Sequence, residues 1–331
     1  MEILRLDECP LSDRNSTYYG MAGQKEGILI QGERWLVKYP KSTAGLEGDL
    51  VSYSTAPLSE YIGSHVYAIL GYPVHDTALG LRNGKLVVAC KDFCDTPGQL
   101  VEFRGFKNVY DQQLERILEE DLPSTGSEHF VELPEILIHL QYNPTVNRVP
   151  GVTERFWDCA IIDGFINNND RNNGNWGFLR TAEGYRLAPV YDNGAAFSNK
   201  ATEETLKKRL QSRQTAEASA LNGTTIYSSG GKNITFRNLL KVSLQNPDFR
   251  AAVKRNVPLV QQCMPQIRTF MERIPESAEK IPVCSSVRKA VYMQDMELRL
   301  EKLLLPTLEQ VIALEAQQER WSGLSPFGMD R

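Results

Sequence analysis

The chain has 331 residues, 41% of them hydrophobic and 24% charged, and its 37 basic side chains against 41 acidic ones leave a net charge of -4. This balance excludes a disordered polar chain, and the length allows two lobes sharing a cleft. It gives no general electrostatic attraction to nucleic acid, so no direct nucleic-acid binding is expected.

No apolar run approaches the roughly 20 residues that cross a bilayer, so no membrane association is expected. The opening MEILRLDECPLSDR carries charges inside its first apolar run and does not read as a secretory signal. The cysteines at 9, 90, 94, 159, 263 and 284 are scattered without paired zinc spacing, so reduced thiols in a cytoplasmic protein are the expectation. From Gly20 to Pro40, the apolar runs ILI and WLVKY flank a Gly-Glu turn and predict a hairpin that follows a glycine-rich segment. In LSEYIGSHVYAIL, Leu58, Ile62, Val66 and Ile69 recur at helical spacing, with Ser59 near the start. TALGL and KLVVAC flank Asn83-Gly84, a strong hairpin signal. After about residue 105, LERILEED, VELPEILIHLQY and FWDCAIIDGFI carry helical patterning, and GFLRTAEGYRL predicts a hairpin around Glu183-Gly184. YRLAPVYDNGAAF runs from a short strand into a turn. In the C-terminal third, MELRLEKLLL and TLEQVIALEAQQERW predict helices broken at Pro306, and the Ser, Thr, Gly and Asn of 211–235 predict a mobile excursion. The fold class expected is α+β: a β-rich lobe over 1–95, then a mainly helical lobe over 96–331.

The stretch NNNDRNNGNW, 167–176, reads either as a flexible surface loop or as one arranged to hold a metal and a hydroxyl. Asn175 follows Asp170 by five residues, and Asp192 comes 17 residues later, just before Asn193-Gly194. Phosphoryl transfer needs an acid beside the acceptor hydroxyl, an amide oxygen for a metal, and a second carboxylate for the metal that bridges the phosphates. The order D-x-x-x-x-N, strand, D-x-G supplies all three, as oxygen donors suited to a hard divalent cation. Upstream, Lys38 lies in WLVKY and Glu60 lies 22 residues later on the predicted helix, a separation that allows the two to pair. A calcium loop starting at Asn169 fails, because Arg171 and Arg180 fall where oxygen ligands are needed. The histidines at 65, 75, 129 and 139 form no metal-ligand pair; His65 and His139 read as packing or surface residues, and Trp157, Trp176 and Phe178 as core aromatics. Ser228 to Lys232 lacks P-loop spacing and reads as a loop.

Taken in order, YYGMAGQKEGI, WLVKYPK, SEYIGSHVYAILGYPV, LVVACKDF, FWDCAIIDGFINNNDRNNGNWGF and LAPVYDNGAAF resemble the HipA-like family of bacterial serine/threonine kinases, nearest to its compact CtkA-like members. The resemblance covers roughly residues 15–200 and is less distinctive beyond. It implies a two-lobed protein-kinase-like fold with ATP and Mg2+ in the cleft. By the same resemblance, the segment from Gly20 through Gly23, Gln24 and Lys25 to Gly27 covers the ATP phosphates. Lys38 contacts phosphate with Glu60 as its orienting partner, and Cys90, Lys91 and Asp92 form the linker that reads adenine. Asp170 accepts the acceptor's proton, and Asn175 and Asp192 bind magnesium. The implied acceptor is a serine or threonine of a protein, the chain itself included; a small-molecule kinase and a nucleotide-binding pseudokinase that serves as an interaction module remain open. An antitoxin-like partner is a further implication. Two departures stand out: Asn172 occupies a position where many relatives carry His, and the autophosphorylated serine of the glycine-rich segment has no direct counterpart, although Ser16 and Thr17 lie nearby.

Overall fold

The computed structural model describes residues 1–14, 24–118 and 131–323. In chain order the elements are β1 (Leu4–Arg5), β2 (Lys25–Ile30), β3 (Glu33–Lys38), α1 (Ala56–Ile69), β4 (Thr77–Arg82), β5 (Lys85–Lys91), β6 (Leu100–Glu102) and α2 (Phe103–Leu118). They continue as β7 (Val131–Glu132), α3 (Leu133–Tyr142), α4 (Val152–Ile166), β8 (Gly177–Thr181), β9 (Gly184–Leu187), α5 (Glu203–Gln211) and α6 (Arg213–Leu221). The remainder is β10 (Thr224–Ser229), β11 (Lys232–Thr235), α7 (Phe236–Ser243), α8 (Pro247–Arg273), β12 (Ser277–Ala278), β13 (Ile281–Pro282), α9 (Ser286–Arg299) and α10 (Leu305–Gly323).

A five-stranded sheet in the order β1-β4-β5-β3-β2 forms the N-terminal part, as the two hairpin signals predict. Asn83 and Gly84 both take positive φ, the geometry of a two-residue turn that matches strand twist. The first hairpin turns one residue earlier than expected, on Gln31 and Gly32, so Glu33 already belongs to β3. Leu58, Ile62 and Val66 on α1 are wholly buried, each contributing about 1.5–3 kcal/mol of hydrophobic stabilisation. They belong to one continuous core that also takes in α4, α8 and α9, so α1 is shared between the sheet and the helical part. Ser59 does not cap this helix; it lies inside it and donates its hydroxyl to the Ala196 carbonyl at 2.9 Å.

Three expectations are corrected in the helical part. Val131 and Glu132, the start of VELPEILIHLQY, pair with β10 as a strand before α3 begins. The 211–235 excursion is folded, as α6 and the β10–β11 hairpin: Thr225 Oγ1 donates to the Ile234 carbonyl at 2.7 Å, and Glu132 accepts from Ser228 Oγ and from the amides of Gly230 and Gly231. The polar residues that suggested mobility are hydrogen-bonding partners inside a sheet. Pro306 does not break the final helices, which are joined by a π-helical turn over 300–304 in which the Leu305 amide reaches back to the Leu300 carbonyl. Proline lacks an N–H and its ring crowds the carbonyl four residues back; the wider turn accommodates both demands.

Two connections set the site. The segment before Asp192 runs beside residues 73–75, with Val190 N donating to the Pro73 carbonyl at 2.8 Å and His75 N to the Val190 carbonyl at 3.1 Å. The segment after it is tied to the loop that precedes α1, through Val51 N to the Lys200 carbonyl at 3.0 Å and Thr55 N to the Asn199 carbonyl at 2.7 Å. All six cysteines are free thiols, and no helix among the described residues is long and apolar enough to cross a membrane.

Candidate active site

β3 and β5 present Lys38 and Cys90 to a cleft, and α1 presents Glu60 opposite them. Lys38 Nζ donates to Glu60 Oε2 at 3.0 Å and to Asp192 Oδ1 at 2.9 Å. Glu60 is 1% exposed, and His75 Nε2 lies 3.0 Å from its second oxygen. Burial works against the Lys38 ammonium, yet Asp192 and Glu60 more than offset it and hold Lys38 well above the usual lysine range. For the acids, burial is the largest single influence and pushes upward, but Lys38, joined by His75 at Glu60 and by Lys25 at Asp192, outweighs it in sum, so both carboxyls rest below their ordinary values. The three groups form an ionised cluster at neutral pH. Burial, together with the neighbouring Lys38 ammonium, lowers Lys25, which faces Lys38 across the β2–β3 ladder. Like charges opposed in this way are unfavourable until an anion lies between or beside them.

The catalytic-loop candidate is launched by the end of α4. Asn167 takes a left-handed conformation (φ 55°, ψ 44°) and its amide reaches the Asp163 and Gly164 carbonyls, closing the helix and turning the chain out. Asp163 then anchors the loop: it accepts from Asn168 Nδ2 at 3.0 Å, from Tyr67 OH at 2.9 Å and from Arg171 Nε and NH2 at 2.8 and 2.9 Å. Arg171 also donates to the Asn175 carbonyl at 3.1 Å, to Asn193 Oδ1 at 2.6 Å and to the Tyr191 carbonyl. One buried guanidinium thus joins α4, the 168–175 loop and the 191–193 turn. Asn193 Nδ2 continues the network to Ser64 Oγ at 3.0 Å, which lies 3.1 Å from His75 Nε2.

Asp170, Asn175, Asp192, Lys38 and Glu60 all line one cavity of about 1460 Å³, together with Gln24, Lys25, Cys90, Lys91 and Asp92. Asn175 Nδ2 donates to the Asp170 carbonyl, which directs the amide oxygen away from that contact. With the Asp192 carboxylate this makes a pair of hard oxygen donors in one cleft, a set that fits Mg2+.

Other assigned residues behave differently. Gly20 and Gly23, like Ser16, Thr17 and His129, lie outside the described residues. Gly27 does not line the cavity: it sits in β2, where a Cβ would fall 1.6 Å from the Arg14 carbonyl, so its role is close packing of the 12–14 segment. In the linker, the amides of Lys91 and Asp92 already donate to the Asp76 and Arg34 carbonyls, so neither amide is available to adenine. The Asp92 carboxylate is held by Arg14 at 2.6 Å with both side chains 5% exposed; it anchors the linker. Burial pushes the Cys90 thiol up, which keeps it an apolar wall.

Arg171, Asp163, Asn193, Ser64, Tyr67 and His75 carry the site's scaffold yet had no assigned role in the sequence. Adjacency was a signal for two of them, Arg171 next to Asp170 and Asn193 next to Asp192; the other four carried none. His65 and His139 do pack, His65 against Phe270 with ring centroids 4.8 Å apart and His139 beside Asp111. Trp157 and Phe178 are wholly buried, and Trp176 stacks on Phe103, as expected of core aromatics.

No protein-family model matches the chain. Over 310 residues, 91% of the chain and 86% of the relative, it is 27% identical to the serine/threonine-protein kinase CtkA of Helicobacter pylori. The crystal structure of the H. pylori proinflammatory kinase CtkA aligns with a TM-score of 0.78 at 25% identity, covering 95% of this chain and 99% of that one. HipA of Shewanella oneidensis MR-1, solved with HipB and operator DNA, aligns with a TM-score of 0.54 at 13% identity over 94% of this chain and 69% of HipA, a likeness of fold.

Proposed function

We propose that this homologue of CtkA, built on a HipA-like kinase fold, transfers the γ-phosphoryl group of ATP to serine or threonine hydroxyls of proteins, its own chain among them. The observation that carries the reading is the convergence of Lys38, Glu60 and Asp192 at 2.9–3.0 Å in the cavity that also holds Asp170 and Asn175. In this reading Lys25 and Lys38 face the phosphates, and Glu60, steadied by His75, keeps Lys38 extended. Asp170 orients the acceptor hydroxyl and takes its proton as the oxygen bonds to the γ-phosphorus and ADP departs; such a general base contributes roughly 10²–10⁴ in rate. Asn175 and Asp192 would hold Mg2+, which would supply neutralisation of charge on the phosphate oxygens. The HipA likeness conveys fold and no partner, so an antitoxin does not enter this reading.

The test is magnesium-dependent transfer from γ-labelled ATP to the chain itself and to generic acceptor proteins. Asp170→Asn and Asp192→Asn are the variants to compare; asparagine suits position 192 because Asp192 has φ 61° and asparagine tolerates that left-handed backbone. Transfer by wild type with a loss of about 100-fold or more in each variant is expected. Labelling that survives both substitutions would show the site to be misassigned. Wild type that binds Mg-ATP but transfers to no acceptor would favour the pseudokinase alternative.

A further inference from the structure

We propose that Asn172 is a positioning residue that sets the rotation of the Asp170 carboxylate, an inference that rests on the role given to Asp170 above. Asn172 Nδ2 donates to Asp170 Oδ1 at 2.9 Å. The amide cannot face the other way, because Asn172 Oδ1 accepts the Gly174 amide at 2.9 Å. Flipping the side chain would set two donors against each other at Gly174 and two acceptors against each other at Asp170. The Arg104 guanidinium, reaching over from α2, adds positive charge 3.5 Å from the same oxygen. It lies where a Cβ on Gly174 would fall, 2.2 Å from Arg104 NH2, so the glycine makes room for it. The clamp engages Oδ1 of Asp170 and assigns proton acceptance to Oδ2. A rotation of this carboxylate misplaces the base, and a displacement of about 1 Å costs on the order of 100-fold in rate.

Asn172→Asp separates positioning from structure. An aspartate keeps an acceptor for Gly174 N–H and for Arg104, so the turn survives, but it presents a second carboxylate to Asp170 in place of a donor. Asn172→Ala loses both bonds. The expected result is lowered thermal stability in both variants, since each loses the bond to Asp170, with unchanged KM for ATP and kcat lowered about 100-fold in Asn172→Asp and a loss of about tenfold in Asn172→Ala. Activity of Asn172→Asp within twofold of wild type overturns the inference while leaving the Asp170 assignment intact, provided Asp170→Asn is inactive. An Asp170→Asn variant as active as wild type overturns the reading beneath it. A readout independent of turnover is the side-chain amide signal of Asn172 in 15N-asparagine-labelled protein, identified by its loss in Asn172→Asp. It shifts in Asp170→Asn if the hydrogen bond exists, and an unmoved signal refutes the clamp.

Discussion

The buried ion cluster gives individual residues a measurable pH signature. Glu60 and Asp192 have carboxyls held below the ordinary range, so the stability they contribute is fully present above the unfolded-state value of about 4 and is lost as pH falls through the lower folded value. Lys38 is raised, so its contribution is full below about pH 10.4 and is lost only as pH rises through its higher folded value. Between those limits these three groups keep their charges. The stability gap between wild type and Glu60→Gln, measured by urea unfolding, is therefore expected to shrink as pH falls below about 4. A gap that persists unchanged into strong acid would assign the whole effect to packing. Lysine, glutamate and the two aspartates were legible in the sequence because spacing along known elements is enough to oppose them. His75 was not, because its function depends on where the chain returns after α1.

At the scale of elements, the position of α1 decides whether Glu60 reaches Lys38. Gly63 permits that position, since a Cβ there would lie 2.7 Å from Asn193 Cβ in the turn after Asp192. Gly63→Ala must push α1 away from this turn. Overpacking of this kind costs about 1–3 kcal/mol, and the displacement also moves Glu60. The expected outcome is a lower Tm together with weaker ATP binding, the second read by calorimetric titration with Mg-ATP. A variant destabilised with unchanged nucleotide affinity would separate the helix's packing from its role in the site. The helical periodicity of LSEYIGSHVYAIL revealed the element and its apolar stripe, but nothing local announced that a glycine in it was reserved for a turn some 130 residues away. The same limit explains the 211–235 segment: its composition is that of a loop, and only its pairing with Glu132 and Val131 makes it a sheet.

For the molecule as a whole, Arg171 is the junction between the end of α4, the catalytic-loop candidate and the turn that carries Asp192. Its carboxylate partner, Asp163, is equally buried. Arg171→Met leaves that charge without its ion-pair partner, which costs about 3–5 kcal/mol, and urea unfolding is expected to show a loss of that size. A loss below about 1 kcal/mol would place the junction elsewhere. The sequence by itself determined the order of elements in the N-terminal part, the helical character of most of the C-terminal part, and the set of oxygen donors and lysines that points to phosphoryl transfer. These are properties of local periodicity, turn chemistry and spacing, which act over a few residues. Tertiary structure alone decided that Gly27 packs against Arg14, that Asp92 anchors the linker, that Pro306 continues a helical path, and that Asn172 holds Asp170. The first two depend on contacts between segments distant in sequence, which form only in the folded chain; the last two are local but depend on the width of a helical turn and the direction of a hydrogen bond, which residue type and spacing do not specify.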